Sequence, residues 1–176
     1  MLLALTAALA GCGNKVETHT VGSTEGVYID VGDLKYQVQM SRILNPNDVE
    51  DAAYLAGLPA SSQLPGNEAW FGVWIRVENT NSDKALPTAS QFTISDTQGN
   101  EFKPLPLQKN PFAYAPSTLG PKSVSPNQNS VAGQGVQQGS LILFKLTTES
   151  IANRPLEFKI TNPADPANTG RVDLDV

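Results

Sequence analysis

The stretch 70-WFGVWIRVEN-79 decides the fold. Phe71, Val73, Ile75 and Val77 fall on one side of an extended chain, and Trp70, Gly72, Trp74 and Arg76 fall on the other. A period of two, carried by aromatic and β-branched residues, predicts a strand. A face that is wholly apolar predicts a second layer that buries it.

The same period continues on both sides. In 27-VYIDVGDLKYQVQMSRIL-44, Val27, Ile29 and Val31 share a face. After the Gly32-Asp33 break, Leu34, Tyr36, Val38 and Met40 alternate with Lys35, Gln37, Gln39 and Ser41, so half-buried strands are expected. The period changes in 47-NDVEDAAYLAGL-58, where Asn47 can cap, acids fill the first turn, and Gly57 with Pro59 ends a short helix. Downstream, 91-QFTISDTQGNEFKP-104 reads as a hairpin with Phe92 and Ile94 on one arm and Phe102 on the other. Asp96 and Gly99 suit the first and fourth positions of its turn, with Gly99 left-handed. The runs 140-SLILFKL-146, 156-LEFKI-160 and 171-RVDLDV-176 complete the set. Between them, 104–138 is rich in Pro and Gly and shows no period. A structureless loop of that length is unusual, so short polar strands are expected within it, around Ser123 to Ala132. About seven or eight short strands with one short helix predict an all-β, antiparallel β-sandwich of the immunoglobulin-like kind.

The 176 residues are 40% hydrophobic, enough for one domain with a proper core. Charged residues make up 16%, and Asp+Glu 17 against Lys+Arg 12 leaves a net charge of −5. With no basic run, nucleic acid and anionic lipid surfaces are poor partners. One cysteine excludes an internal disulfide, so packing alone must hold the domain.

Four segments resemble the core motifs of a family of bacterial secreted lipoproteins with an immunoglobulin-like, or telokin-like, domain of unknown function. They are "RVEN" at 76–79, "FTISDTQGNEF" at 92–102, "GSLILF" at 139–144 and "PLEFKI" at 155–160. The resemblance spans about residues 27 to 176, implies the sandwich fold and brings no catalytic motif; the long Pro-rich stretch departs from the compact members. The N-terminus resembles the lipobox of lipoprotein signal peptides, matched at Leu9, Ala10, Gly11 and Cys12. That resemblance implies cleavage before Cys12 and a diacylglyceryl thioether on its sulfur. Two acyl chains suffice for stable anchoring, whereas the apolar run is too short to span a bilayer. No Lys or Arg precedes that run, so a longer leader is expected upstream. The expected organisation is a signal peptide over 1–11, lipidated Cys12 with a flexible tether to 26 that reaches about 20 Å, and the sandwich over 27–176. The expected location is the outer face of a bacterial membrane.

Chemistry is constrained by histidine. The only one, His19, falls in the expected tether, where it cannot hold the geometry of a general base or serve a multi-ligand metal site. Asp96, Asn100 and Glu101 offer oxygens, but without the alternating spacing of a calcium loop; a hairpin turn explains them. Asp48, Glu50 and Asp51 suit a first helical turn, and Asn79-Thr80-Asn81 suits a turn. No catalytic residue, metal ligand or cofactor is assigned. The expected function is a non-enzymatic binding or interaction module of the cell envelope, with a protein partner. The alternatives are a structural or stress-related envelope lipoprotein, and a hydrolase that works without histidine. Trp70, Trp74 and Arg76 are the candidate binding residues if their face is open. Two segments could instead cover it: the 48–56 helix through Tyr54 and Leu55, and the Pro-rich stretch through Phe112 and Tyr114. Coverage is the expectation, with the external binding surface then in the loops.

Overall fold

The computed structural model describes residues 18–59 and 62–175. Within them the chain forms, in order, β1 (Val21–Gly22), β2 (Tyr28–Val31), β3 (Leu34–Leu44), α1 (Val49–Tyr54) and β4 (Glu68–Glu78). It continues through β5 (Leu86–Pro87), β6 (Gln91–Ser95), β7 (Glu101–Phe102), β8 (Thr118–Leu119), β9 (Val124–Ser125) and α2 (Val131–Gln134). The last elements are β10 (Ser140–Thr147), α3 (Thr148–Ala152), β11 (Leu156–Thr161) and β12 (Thr169–Leu174). Seven strands have four or more residues, and each overlaps a stretch read as a strand. The two-residue strands carry too few residues to show a period.

Two sheets form the sandwich. The first runs β1-β12-β11-β6-β7 and the second β10-β4-β3-β2, with β9 alongside the end of β4. Pairing between the long strands is antiparallel, and β1 joins β12 in parallel. β1 and β2 lie along one side of the sandwich, and β7 and β10 along the other. Phe71, Val73, Ile75 and Val77 of β4 are fully buried between the sheets, against Phe92, Ile94, Phe158 and Ile160 of the first sheet. Phe92 stacks on Phe158 at 5.7 Å, and Phe144 meets Phe158 edge-on at 6.2 Å. The expected all-β sandwich is therefore the observed one.

The expected short helix is α1, but its cap is Asp48 rather than Asn47. The Asp48 carboxylate accepts the N–H groups of Glu50 (2.9 Å) and Asp51 (3.1 Å), donors that a helix start leaves unpaired. Gly57 ends the helix in the left-handed region, φ +83°. The 96–99 turn also forms as expected, with Gly99 at φ +85°. The Pro-rich stretch contains β8, β9 and α2, the last two within or beside the 123–132 region where structure was expected.

The flexible tether expected to reach residue 26 does not extend over residues 18–26. From Thr18 onward the chain straps across the sandwich side. The His19 carbonyl accepts the Asp30 N–H at 2.6 Å, the Asp30 carboxylate accepts the His19 N–H at 3.0 Å, and the Thr20 carbonyl accepts the Arg171 N–H at 2.9 Å. Glu25 accepts the backbone N–H groups of Ser41 (3.0 Å) and Asp175 (3.2 Å), while Asp175 accepts the Thr24 hydroxyl (2.6 Å). Polar residues that read as a linker here satisfy strand ends. The stretch read as a signal peptide, and Cys12, lie outside the described residues.

Candidate functional site

The outer face of the second sheet carries the candidate tryptophans, and it is covered. Trp70 and Trp74 are 4% and 1% exposed and pack with Leu44, Leu141 and Leu143 under Tyr54 and Leu55 of the α1 segment. Phe112 seals the cluster, with Tyr54 edge-on to both Trp74 (5.1 Å) and Phe112 (4.8 Å). Gly72 leaves the space that the Trp74 ring fills: a Cβ there would lie 2.7 Å from Cη2 of that indole. The groove suggested by the Trp-Gly-Trp pattern is occupied by its own tryptophan. Each indole removes about 200 Å² from water, which is on the order of 5 kcal/mol before entropy is counted.

Trp70 and Trp74 are therefore core residues, which corrects their candidacy as a binding surface. Of the two segments expected to cover them, the helix does so through Tyr54 and Leu55 and the Pro-rich stretch through Phe112. Tyr114 does not: it turns into the inter-sheet core and meets Phe92 edge-on at 5.3 Å. Arg76, farther along the same face, is held by Glu78 (Nε to Oε1, 3.0 Å), which also accepts the Tyr28 hydroxyl at 2.6 Å. The three candidate residues thus do not form one open site.

Two residues that the sequence reading passed over organise this cover. The Arg42 guanidinium lies over the Trp74 ring (5.4 Å) and donates to both oxygens of buried Asp51, at 3.0 and 2.5 Å. Arg42 holds the Asp51 carboxyl below its ordinary value of 3.8, and burial opposes this. Asn110 fixes the loop to the helix. Its Nδ2 lies 3.1, 2.9 and 2.9 Å from the carbonyls of Ala53, Tyr54 and Ala56, and its Oδ1 accepts the Phe112 N–H at 2.8 Å. An Asn between Lys and Pro in a Pro-rich stretch gives no local sign of capping a helix 50 residues away; only tertiary contact assigns that role.

The possible calcium oxygens of Asp96 are already engaged. Its carboxylate accepts the N–H groups of Gln98 and Asn100, both at 2.9 Å, and the Asn100 amide at 2.8 Å. Burial acts upward on this carboxyl, but hydrogen bonds from Asn100, Ser150 and Gln98 outweigh it and hold it well below the usual range. Asn79 is likewise a turn organiser. It is buried, accepts the Asn81 N–H at 3.0 Å, and aims its amide at the carbonyls of Lys84, Leu119 and Gly120.

The feature with the character of a binding site is a cleft of about 410 Å³ on the β7/β10 side, within the range of ligand pockets. The 104–116 segment builds it by crossing the edge of β10 twice. Leu105 donates to the Leu143 carbonyl (2.7 Å), Leu141 donates to the Phe112 carbonyl (2.7 Å), and Tyr114 donates to the Leu141 carbonyl (2.8 Å). These bonds cap an edge strand that would otherwise stand open. Between the two crossings the chain runs to the α1 segment, where Gln108 donates to the Gly57 carbonyl at 2.9 Å, and Phe92, Leu105, Leu107, Tyr114, Ile142 and Leu143 line the space. Pro104, Pro106 and Pro116 line its rim, so fixed φ angles shape the opening. No charged side chain lines it. The Tyr114 hydroxyl is already committed to the Ala89 carbonyl at 2.8 Å, and burial pushes its pKa strongly up. A depression of about 470 Å³ beside β1 is of mixed character, with Asp165, Asn168 and Arg171 beside Val21 and Ala167 in its wall.

No family model matches the chain, and no curated protein matches its sequence. Among solved structures it is similar to the yjhA protein of Bacillus subtilis, at 9% identity and a TM-score of 0.57. That match covers 87% of this chain and 99% of that one. Fainter likenesses are to the ycdA protein of Bacillus subtilis, a candidate lipoprotein, and to an uncharacterized β-sandwich protein of Clostridium difficile. The first has 10% identity, 89% and 39% coverage of this chain and that one, and a TM-score of 0.48. The second has 11% identity, 93% and 99% coverage, and a TM-score of 0.47. At such identities likeness extends to the fold alone. What the chain shares with the yjhA protein is the architecture described above.

Proposed function

We propose that this chain is an envelope lipoprotein, anchored through Cys12 to the outer face of a bacterial membrane, that works as a non-enzymatic binding module. The observation that carries the binding part is the cleft built by the 104–116 segment. A long Pro-rich segment shapes an apolar recess and is fixed to β10 by three backbone hydrogen bonds. Such a recess recognises an uncharged apolar segment of a protein partner by shape and desolvation, because its lining holds no charge to select an ion. The anchoring part is supported by the lipobox residues Leu9 to Cys12. The strap at Thr18 to Gly22 adds to this, because it fixes the start of the sandwich on the side opposite the cleft.

Fractionation of cells expressing the full-length gene tests the anchor: Cys12→Ser moves the protein from membranes to the aqueous fraction. Retention in the membrane would refute it, since two acyl chains otherwise dominate the partition. Ala113→Trp fills the cleft from its wall. The variant keeps the melting temperature within a few degrees and loses the partner recovered with the wild-type chain from cross-linked envelopes. Equal recovery would remove the cleft from the reading.

A further inference from the structure

The outer face of the first sheet carries charge in an order that strand pairing disfavours. Lys159 of β11 stands opposite Arg171 of β12, and Glu157 stands opposite Asp173. Like charges directly across a strand pair repel. The pattern extends across the sheet. Lys159 neighbours Thr93 of β6, on which Lys103 places its Nζ at 2.6 Å, and Glu157 neighbours Ser95, which pairs with Glu101 of β7. The face therefore has a cationic band of Arg171, Lys159 and Lys103, and beside it an acidic band of Asp173, Glu157 and Glu101. Contacts between the bands are long: Arg171 to Glu157 is 3.8 Å and Lys159 to Glu101 is 3.9 Å. Arg171 and Glu101 keep 53% and 54% of their side-chain surface in water, and Lys159 and Glu157 keep 32% and 35%.

We propose that this face pairs with the same face of a second copy of the chain, about a two-fold axis running along and between the two bands. Rotation about that axis lays the cationic band of one copy on the acidic band of the other. On each of the three strand ends the cation and the acid are two residues apart, so their spacing of about 7 Å along the strand is matched automatically. Lys159 then meets Glu157 of the second copy, Arg171 meets Asp173, and Lys103 meets Glu101. An unrelated partner would have to reproduce both bands and their spacing. A polyanion would meet the acidic band, and a polycation the cationic one.

The topology supports the same axis. It runs from the β1 edge to the β7 edge, so both copies present β1, where the N-terminal strap joins, at the same end. Two anchors can then enter one membrane while both clefts sit at the far end. In this respect the inference rests on the lipoprotein reading. The face measures about 19 Å across its strands and about 20 Å along them, roughly 400 Å² per copy, against about 800 Å² in a standard interface. Pairing is therefore weak for free chains and is favoured by confinement to a membrane plane, which raises the effective concentration.

Energy transfer between copies of the full chain in proteoliposomes tests this. With Cys12 acylated, Val49→Cys supplies one labelling site on the exposed start of α1, away from the face. Donor- and acceptor-labelled chains are expected to show transfer above that of randomly placed copies, declining as salt is raised from about 0.02 to 0.3 M. Lys159→Glu with Arg171→Glu leaves the two bands predominantly acidic, and Glu157→Lys with Asp173→Lys leaves them predominantly basic. Each population alone falls to the random level, and a mixture of the two recovers transfer, which misfolded chains could not do. Wild-type transfer at the random level, or transfer that survives in either variant alone, overturns the pairing. Two labels per chain would mark failure of the lipidation reading alone. The variant comparison, made then in solution at about 0.02 M salt, decides the pairing either way.

Discussion

Replacing Asn110 with Ala removes the side chain that ties the 104–116 segment to the backbone carbonyls at the C-terminal end of α1. The lost contacts are the two amide N–H groups shared among the carbonyls of Ala53, Tyr54 and Ala56, and the acceptor for the Phe112 N–H. Three hydrogen bonds at about 1 kcal/mol each give a loss of about 3 kcal/mol. Ala53 and Ala56 are exposed and their carbonyls rehydrate, which keeps the loss from rising further. For a domain of this size that is a fall in melting temperature of about 6–12 °C. The variant should also loosen the cover over the only two tryptophans, so acrylamide quenching of their emission rises. Asn110→Asp makes the reasoning sharper. It keeps the acceptor for Phe112 but sets a negative charge against three carbonyl oxygens at a helix C-terminus, and should be worse than Ala. Unchanged melting and quenching in the Ala variant, or an Asp variant more stable than Ala, would refute the role given to Asn110.

Two further predictions concern the scaffold. Gly99→Val costs about 1–2 kcal/mol through backbone strain alone, because nothing lies within 4 Å of a Cβ there; an unaltered melting curve would contradict the left-handed turn. Asp51 and Asp96 have folded pKa values below the unfolded 3.8. Their stabilisation is therefore full above that value and lost as pH falls through the folded ones. Urea unfolding at stepped pH should show stability declining below about pH 5, with a shallower decline in Asp51→Asn and a lower plateau at neutral pH. A wild-type decline matched by that variant would show that the Arg42 pair carries none of the acid sensitivity.

How much could be read from the chain depended on whether the signal was local. The seven longer strands were legible because most alternate over several residues, while β10 is a short bounded apolar run, and β4 also announced its buried face through Phe71, Val73, Ile75 and Val77. The 96–99 turn was legible because Asp96 and Gly99 each serve a backbone need within four residues. The cover over Trp70 and Trp74 followed from a general argument, that a monomer seldom leaves two indoles open. The residues that hold that cover in place did not follow. Arg42 reads as an exposed strand residue until Asp51 and Trp74 are placed around it. The strap at 18–26 was hidden because Thr18, Thr20, Ser23 and Glu25 have the composition of a linker, and a two-residue strand has no period. The cleft was hidden too, because its lining comes from three separate segments and its Pro residues read only as an absence of regular structure.

The claim that the cleft binds a partner is tested most directly in intact envelopes, with a photoreactive phenylalanine analogue placed at Ala115 on the exposed rim of the cleft. The control places the same group at Val131, which is exposed on α2 and does not line the cleft. The account predicts one discrete adduct from Ala115, of higher mass than the chain, that is absent from Val131 and abolished by Ala113→Trp. Equal adducts from both positions, or none from Ala115, would contradict it.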